Sequence, residues 1–265
     1  MAEKLFLKQV DAYAKGRPSY PAALFERLAS LTQRHDRAWD VGTGNGQAAI
    51  MVAEHYKSVV ATDISEPQLS LATQRPNVTY SKLSATPSPE ELERIVGAEG
   101  SVDLVTVATA LHYFDLEKFF PIVKHLLRKP GGVFAAWTYS IHNVSPQIDE
   151  LTVEWHKLLK QYRGPGAEYA FEEYRTIPFP FEPVAAQEGR VEPEFFNMEM
   201  SMTLDKFWEL WKSNSFVQTA REHGFDILTE ERVKAVTNAW GSEEVRIVTF
   251  PTALLIGTVS PASEN

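Results

Sequence analysis

Cysteine is absent from the 265 residues. That absence removes disulfides, thiolate metal sites and cysteine nucleophiles together, and it is compatible with a cytoplasmic protein. Long apolar runs are missing too. None reaches the roughly 20 residues needed to cross a bilayer, and the opening Met1-Ala2-Glu3-Lys4-Leu5-Phe6 lacks the apolar stretch of a secretory signal, so no membrane partner is expected. Positive charge is scarce: 26 Lys and Arg stand against 35 Asp and Glu, giving −9, and no basic run occurs. Affinity for nucleic acid comes largely from neutralising phosphates with Lys and Arg, so no nucleic-acid partner is expected. There is no Gly-x-Ser-x-Gly elbow and no phosphate-loop lysine pattern. His142, His156 and His223 are scattered without metal-ligand spacing, so no catalytic metal is expected.

What is present is a regular alternation over the first half. Residues 21–34 read as a helix with Pro21 in its first turn. Strands are expected at 38–41, 58–62, 78–80, 102–107 and 133–137. Helices are expected at 45–55, 66–74 (capped by Ser65), 88–96 and 116–128. Strands alternating with helices imply a parallel sheet covered on both faces, doubly wound through right-handed crossovers. The second half breaks this rhythm. It contains a long helix at 147–162, an aromatic and proline-rich stretch at 169–183, a strand at 195–202 and helices near 204–212 and 215–223. Strand-like segments at 245–250 and 253–259 follow, with a bulge or break expected at Pro251. The organisation predicted is a cofactor-binding core with an N-terminal lid over residues 1–140, a substrate-capping insertion over 141–190, and completion of the core sheet over 191–265.

The chemistry-bearing motif is the turn Asp40-Val41-Gly42-Thr43-Gly44-Asn45-Gly46, placed at the carboxyl end of the first strand. In open parallel sheets ligands bind beyond the carboxyl ends of the strands, and glycines there allow close backbone approach and positive φ. A dinucleotide site prefers Gly-x-Gly-x-x-Gly. Here Gln47 stands where the third glycine of that pattern would be, and Asp40 would oppose a bound pyrophosphate. A cationic sulfonium ligand would tolerate that carboxylate. Asp63 lies 21 residues after Gly42, where a carboxylate can accept both hydroxyls of a ribose, as in adenosine cofactors generally.

Taken together, Trp39 to Gly46, Ala61-Thr62-Asp63-Ile64-Ser65 and Leu127-Arg128-Lys129-Pro130-Gly131-Gly132 resemble the class I S-adenosylmethionine-dependent methyltransferases over residues 36–138. Tyr13 to Pro21 and Leu111-His112-Tyr113-Phe114-Asp115 look like the small-molecule branch that includes trans-aconitate methyltransferase-like proteins of fungi and plants. In that branch the second segment usually reads His-Trp-Phe, and Tyr113 replaces the Trp. The resemblance implies an α/β, Rossmann-like seven-stranded methyltransferase sheet, mostly parallel, with the last strand antiparallel beside the fifth and supplied by residues 245–259, plus a helical and aromatic cap.

It also implies S-adenosyl-L-methionine as cofactor. Asp40, Gly42, Thr43, Gly44 and Gly46 would contact its methionine portion, and Asp63 and Ile64 its ribose. Gln68, Ser84 and Ala85 would lie near the adenine, Ala108 and Thr109 beside the methyl group, and Tyr13 on a segment folding over the cofactor. Gln68 replaces a usual Met, and Ser84 a usual acid. Arg17, Tyr113, Phe171 and Tyr174 are candidate acceptor contacts. His112 is the candidate base or orienting group, with structural packing as the competing reading. The expected reaction is in-line methyl transfer to a carboxylate or hydroxyl oxygen of a small molecule. A methyltransferase-like binding protein without catalysis and an NAD-dependent oxidoreductase stay open. Monomer and homodimer both fit the sequence.

Overall fold

The computed structural model describes residues 19–184, 186–187 and 190–260. Tyr13 and Arg17 lie outside these residues, as does most of the expected lid. The described residues open with helix α1 (Ala22–Leu31), preceded by Pro21 at the cap rather than in the first turn. Five strand–helix steps follow. They are β1 (Arg37–Val41) with α2 (Gln47–Val52), β2 (Ser58–Asp63) with α3 (Glu66–Ser70), β3 (Val78–Lys82) with α4 (Pro89–Ile95), β4 (Leu104–Ala108) with α5 (Leu116–Leu126), and β5 (Val133–Thr138) with α6 (Pro146–Leu158). The helix starts follow local chemistry: Ser65, Ser88 and Ser145 each accept a backbone N–H three residues on, satisfying donors that the first helical turn leaves unpaired.

Strands β3, β2, β1, β4 and β5 pair in parallel, in that order. Their side chains alternate between two cores. Trp39, Val105, Val107, Phe134 and Ala136 pack with α4 and α5. Ala38, Leu104, Val133, Ala135 and Trp137 pack with α1 and α2. This period of two on a sheet covered on both faces accounts for the near-continuous apolar runs in the sequence.

The second half adds α7 (Ala167–Phe171), two-residue strands β6 (Glu182–Pro183), β7 (Ala186–Gln187) and β8 (Arg190–Val191), β9 (Glu194–Met202), α8 (Leu204–Ser213), α9 (Ser215–Glu222), α10 (Glu230–Trp240) and β10 (Arg246–Thr258). Strand β10 runs antiparallel to β5, as the resemblance implied. Its other edge carries β9 and then β6, both antiparallel to it. The sheet is therefore the expected Rossmann-like one, with β10 inserted beside the fifth strand and β9 at the far edge. A third core gathers α6, α8, α9 and α10 against β9 and β10. Bidentate Arg27–Glu194 hydrogen bonds of 2.9 and 2.7 Å tie α1 to β9. No helix among the described residues is long and apolar enough to cross a membrane.

Two differences from the sequence reading have clear causes. Helix α10 was not anticipated, although Thr229 caps it and Glu230 and Glu231 fill its first turn. And the strand does not break at Pro251. Residue Thr249 exchanges both backbone hydrogen bonds with Asn143, and residues two apart on a strand present their backbone to the same side. Pro251 thus faces the stretch between that bridge and the Ala253–Thr138 pair, where residues 139–142 have left the ladder and ask for no N–H. The neighbouring chain gives way and β10 runs through.

Candidate cofactor and acceptor site

The site is built at the carboxyl ends of β1, β2, β4 and β5. After β1 the chain turns through Gly42, Gly44 and Gly46, all with positive φ (66°, 58° and 82°). A side chain would also be obstructed at the outer two. A Cβ on Gly42 would come 2.9 Å from the Cβ of Ala110, and one on Gly46 would come 2.3 Å from the Tyr80 hydroxyl. The turn is pinned to β2, since the Thr43 N–H donates to the Thr62 carbonyl (3.0 Å).

Two carboxylates frame this turn. Asp40 is fully buried in β1 and accepts hydrogen bonds from the hydroxyls of Thr106 (2.6 Å) and Thr43 (2.5 Å). Burial nevertheless raises it to about 6. Asp63 ends β2 and accepts the backbone N–H groups of Gly44 and Ser65, both at 2.8 Å. Its pKa is also raised, by burial first, against those hydrogen bonds. The backbone N–H groups of Gly44, Ser65 and Ile64 take up part of the Asp63 acceptor capacity and leave part of it for a ligand hydroxyl. Beside them Gln68 is buried, with its amide oxygen 3.9 Å from the Cβ position of Gly44. Ile64, Ser84 and Ala85 lie exposed around the ends of β2 and β3. The glycine cradle, the spare acceptor capacity of Asp63 and the apolar and amide surface next to it suit an adenosine cofactor with a cationic amino-acid end.

Strand β4 ends at Ala108, and Thr109 follows in a left-handed conformation (φ 52°), its N–H bonded to the Trp137 carbonyl at 2.8 Å. Residues Leu111–Tyr113 form a 3-10 turn that presents His112 and the half-exposed Tyr113 ring, with ring centres 4.1 Å apart. Across from them stands Tyr174, fully buried and left-handed (φ 61°). Its hydroxyl lies 3.1 Å from His112 Nδ1 and also hydrogen-bonds the Thr138 side chain. Burial lowers His112 to about 4. The segment around Gly166 meets the turn closely, for a Cβ there would fall 2.1 Å from the His112 carbonyl oxygen.

A cavity of about 240 Å³ lies beside this group, walled by Thr138 at the end of β5, by Tyr139, Ser140 and Asn143 after it, by Phe171 and Glu173, and by Pro251; His112, Tyr113 and Tyr174 do not line it. Glu173, also left-handed (φ 56°), is bridged to Arg175 at 3.1 Å. The structure thus gathers His112, Tyr113, Tyr174 and Phe171 at one edge of the sheet. Tyr174 acts from behind His112, and Phe171 faces the cavity. Sequence reasoning missed Tyr80, Thr106, Thr138 and Glu173. A threonine inside the apolar run Leu104-Val105-Thr106-Val107 was the readable signal for one of them; the other three depend on contacts between distant segments.

Residues 38–132 match the methyltransferase domain family. A solved structure from Anaeromyxobacter dehalogenans, described as a candidate type II methyltransferase, is 34% identical and superposes with a TM-score of 0.78 over 92% of this chain and 99% of that one. A candidate methyltransferase of Dictyostelium discoideum is 28% identical over 254 residues, 92% of this chain and 91% of its own length. The methyltransferase AacuQ of Aspergillus aculeatus is 37% identical over 127 residues, which is 46% of this chain and only 40% of the fungal protein.

Proposed function

This chain belongs to the class I S-adenosylmethionine-dependent methyltransferases, and from that premise we propose that it methylates an oxygen, foremost a carboxylate oxygen, of a small metabolite held over the ends of β4 and β5. The observation that carries this reading is the cavity of about 240 Å³ at that edge. Small-molecule sites combine apolar walls with a few placed polar groups, and Thr138, Ser140 and Asn143 interleaved with Ile141 and Phe171 fit that description. The bound cofactor supplies a methyl group already activated on a positively charged sulfur.

Holding that cofactor falls to the glycine turn and Asp63. The remaining residues align the acceptor and exclude water, which is where such reactions gain most of their rate. A carboxylate acceptor carries no proton at neutral pH and needs no base, unlike a hydroxyl. This agrees with His112, which burial holds at about 4 and which is therefore neutral and weakly basic at pH 7. His112, held by the Tyr174 hydroxyl, then fixes the Leu111–Tyr113 turn beside the acceptor rather than acting as a base. The insertion over residues 141–190 covers the acceptor, and Glu173 at the cavity wall is paired with Arg175, which also bridges Glu192.

A metabolite screen with labelled S-adenosylmethionine tests the reading. Label should appear in base-labile methyl esters of small acids. Label confined to nitrogen acceptors, proteins or nucleic acid would contradict it.

A further inference from the structure

Six buried side-chain nitrogens among the described residues have no hydrogen-bond partner, and five of them come from one cluster: His142 Nε2, His156 Nδ1 and Nε2, Arg163 Nε and Trp211 Nε1. Native interiors leave few polar atoms unpaired, so their gathering in one place calls for an account. His142 lies four residues after the end of β5, His156 sits on α6, Arg163 follows the 3-10 turn Lys160–Tyr162, and Trp211 sits on α8. Ring centres place Trp211 5.8 Å from His142 and 5.2 Å from His156. Around them the third core is apolar, with Phe207, Phe216 and Phe250 against the imidazoles. Packing alone would favour apolar side chains at these positions.

The cluster adjoins the acceptor cavity. Phe171, whose ring helps to wall that cavity, lies 5.6 Å from the His156 ring, and the Arg163 guanidinium carbon stands 3.3 Å over its face. Ile141 and Asn143, on either side of His142, line the same cavity. We propose that His142, His156, Arg163 and Trp211 form an anion-recognition pocket behind Phe171 that receives a carboxylate of the methyl acceptor.

The chemistry of the unpaired atoms selects this ligand. The indole N–H and the guanidinium Nε–H can only donate. Burial keeps both histidines neutral, lowering them to about 4 and about 3, so each imidazole carries one N–H donor and one acceptor nitrogen, and His156 can turn one N–H toward a ligand. The carboxylate paired with Arg163 is Glu168, which accepts from Nη1 at 3.0 Å and leaves Nε unpaired. A cation would face Arg163, and an apolar group would leave every nitrogen unpaired. A carboxylate accepts several such donors at once. Entry requires the Phe171 ring to move, and Gly164 and Gly166, on either side of Pro165 at the start of its short helix, give that segment freedom. The proposal rests on the small-acid reading of the acceptor given above, and it adds a second, non-reacting contact that sets which acids are taken.

The test is nuclear magnetic resonance of nitrogen-labelled protein saturated with S-adenosylhomocysteine, titrated with glutarate, benzoate and phenylacetate and with their primary amides. The acids should shift the Trp211 indole and the His142 and His156 imidazole signals, and the amides should bind about tenfold or more weaker, as expected when a charge-assisted hydrogen bond is lost. His156→Phe should weaken acid binding similarly without lowering the melting temperature or the affinity for S-adenosylhomocysteine, since it removes two unpaired atoms from the core. Should His156→Phe fail to fold, Trp211→Phe keeps the ring and removes one donor, with the same expected loss. Equal binding of acid and amide, unchanged acid affinity in the folded variant, or no shift at these three side chains overturns the pocket. An acid that binds here yet is never methylated sustains the pocket and overturns the acceptor assignment instead. An acid methylated equally well by wild type and variant does the reverse.

Discussion

Replacing Gly46 by Ala should damage this chain far more than replacing Gly100 by Ala. Both glycines are left-handed, with φ of 82° and 65°, so both substitutions carry the same backbone penalty of roughly 1–2 kcal/mol. Their surroundings differ. At Gly100 a Cβ would meet nothing within 4 Å, whereas at Gly46 it would stand 2.3 Å from the Tyr80 hydroxyl and 2.8 and 2.9 Å from its ring carbons. Tyr80 yields only by giving up its 2.8 Å hydrogen bond to the Thr73 carbonyl, about 1 kcal/mol, and by repacking at about 1–3 kcal/mol. The Gly46 variant should therefore lose about 2–4 kcal/mol more than the Gly100 variant, which at roughly 2–4 °C per kcal/mol separates their melting temperatures by roughly 4–16 °C. Differential scanning calorimetry reads this directly. S-adenosylhomocysteine affinity should fall in the Gly46 variant and hold in the Gly100 variant, and adding Tyr80→Ala to Gly46→Ala should recover the steric part. Equal losses at both positions would refute the argument that Tyr80 shapes the turn.

Tyr174→Phe removes the hydroxyl shared by His112 and Thr138, and leaving those buried groups unpaired should cost about 1–3 kcal/mol. Urea unfolding checks the loss, and acceptor turnover should drop while S-adenosylhomocysteine affinity is unchanged. Gly166→Ala drives a methyl group into the His112 carbonyl, so KM for the acceptor should rise with little change in cofactor affinity; an unaltered KM would show that this cap contact does not shape the acceptor site. Acid should destabilise the fold. Between the ordinary imidazole value near 6.5 and about 4, the unfolded chain binds protons that folded His142 and His156 refuse, each contributing at most about 3 kcal/mol of stability that is present above this range and lost as pH falls through it. Asp40, raised to about 6, opposes one of them, because the folded chain takes up its proton first. Urea midpoints that stay flat from pH 7.5 to 4.5 would contradict the burial of these imidazoles.

How much was legible in advance depended on the range of the interactions. The turn from Asp40 to Gly46 and the cap at Ser65 are local, and their chemistry can be read from adjacent residues. Strands β2, β4 and β5 announced themselves through apolar runs that a doubly covered sheet demands, whereas edge strand β3 rested on the short Val78-Thr79-Tyr80 stretch. Pro251 misled because its effect depends on what the neighbouring segment does: residues 139–142 leave the ladder where its N–H would be needed. Tyr174 was readable as a candidate acceptor contact in an aromatic, proline-rich stretch, yet its left-handed backbone and buried hydroxyl place it behind His112. The cluster of His142, His156, Arg163 and Trp211 is spread over four elements across 70 residues, and only the fold of the third core brings it together. Helix α10 was readable from Thr229-Glu230-Glu231 and was overlooked because its apolar face is sparse.

The central claim is that the glycine turn and Asp63 hold the methyl donor. Calorimetric titration of S-adenosylhomocysteine into the wild-type chain and Asp63→Ala tests it most directly. The account predicts one site per chain in the wild type and a loss of about tenfold or more in the variant, the worth of a hydrogen-bonded carboxylate, with the variant still folded by circular dichroism. Binding of equal strength in both proteins, or no binding heat in the wild type, would contradict it.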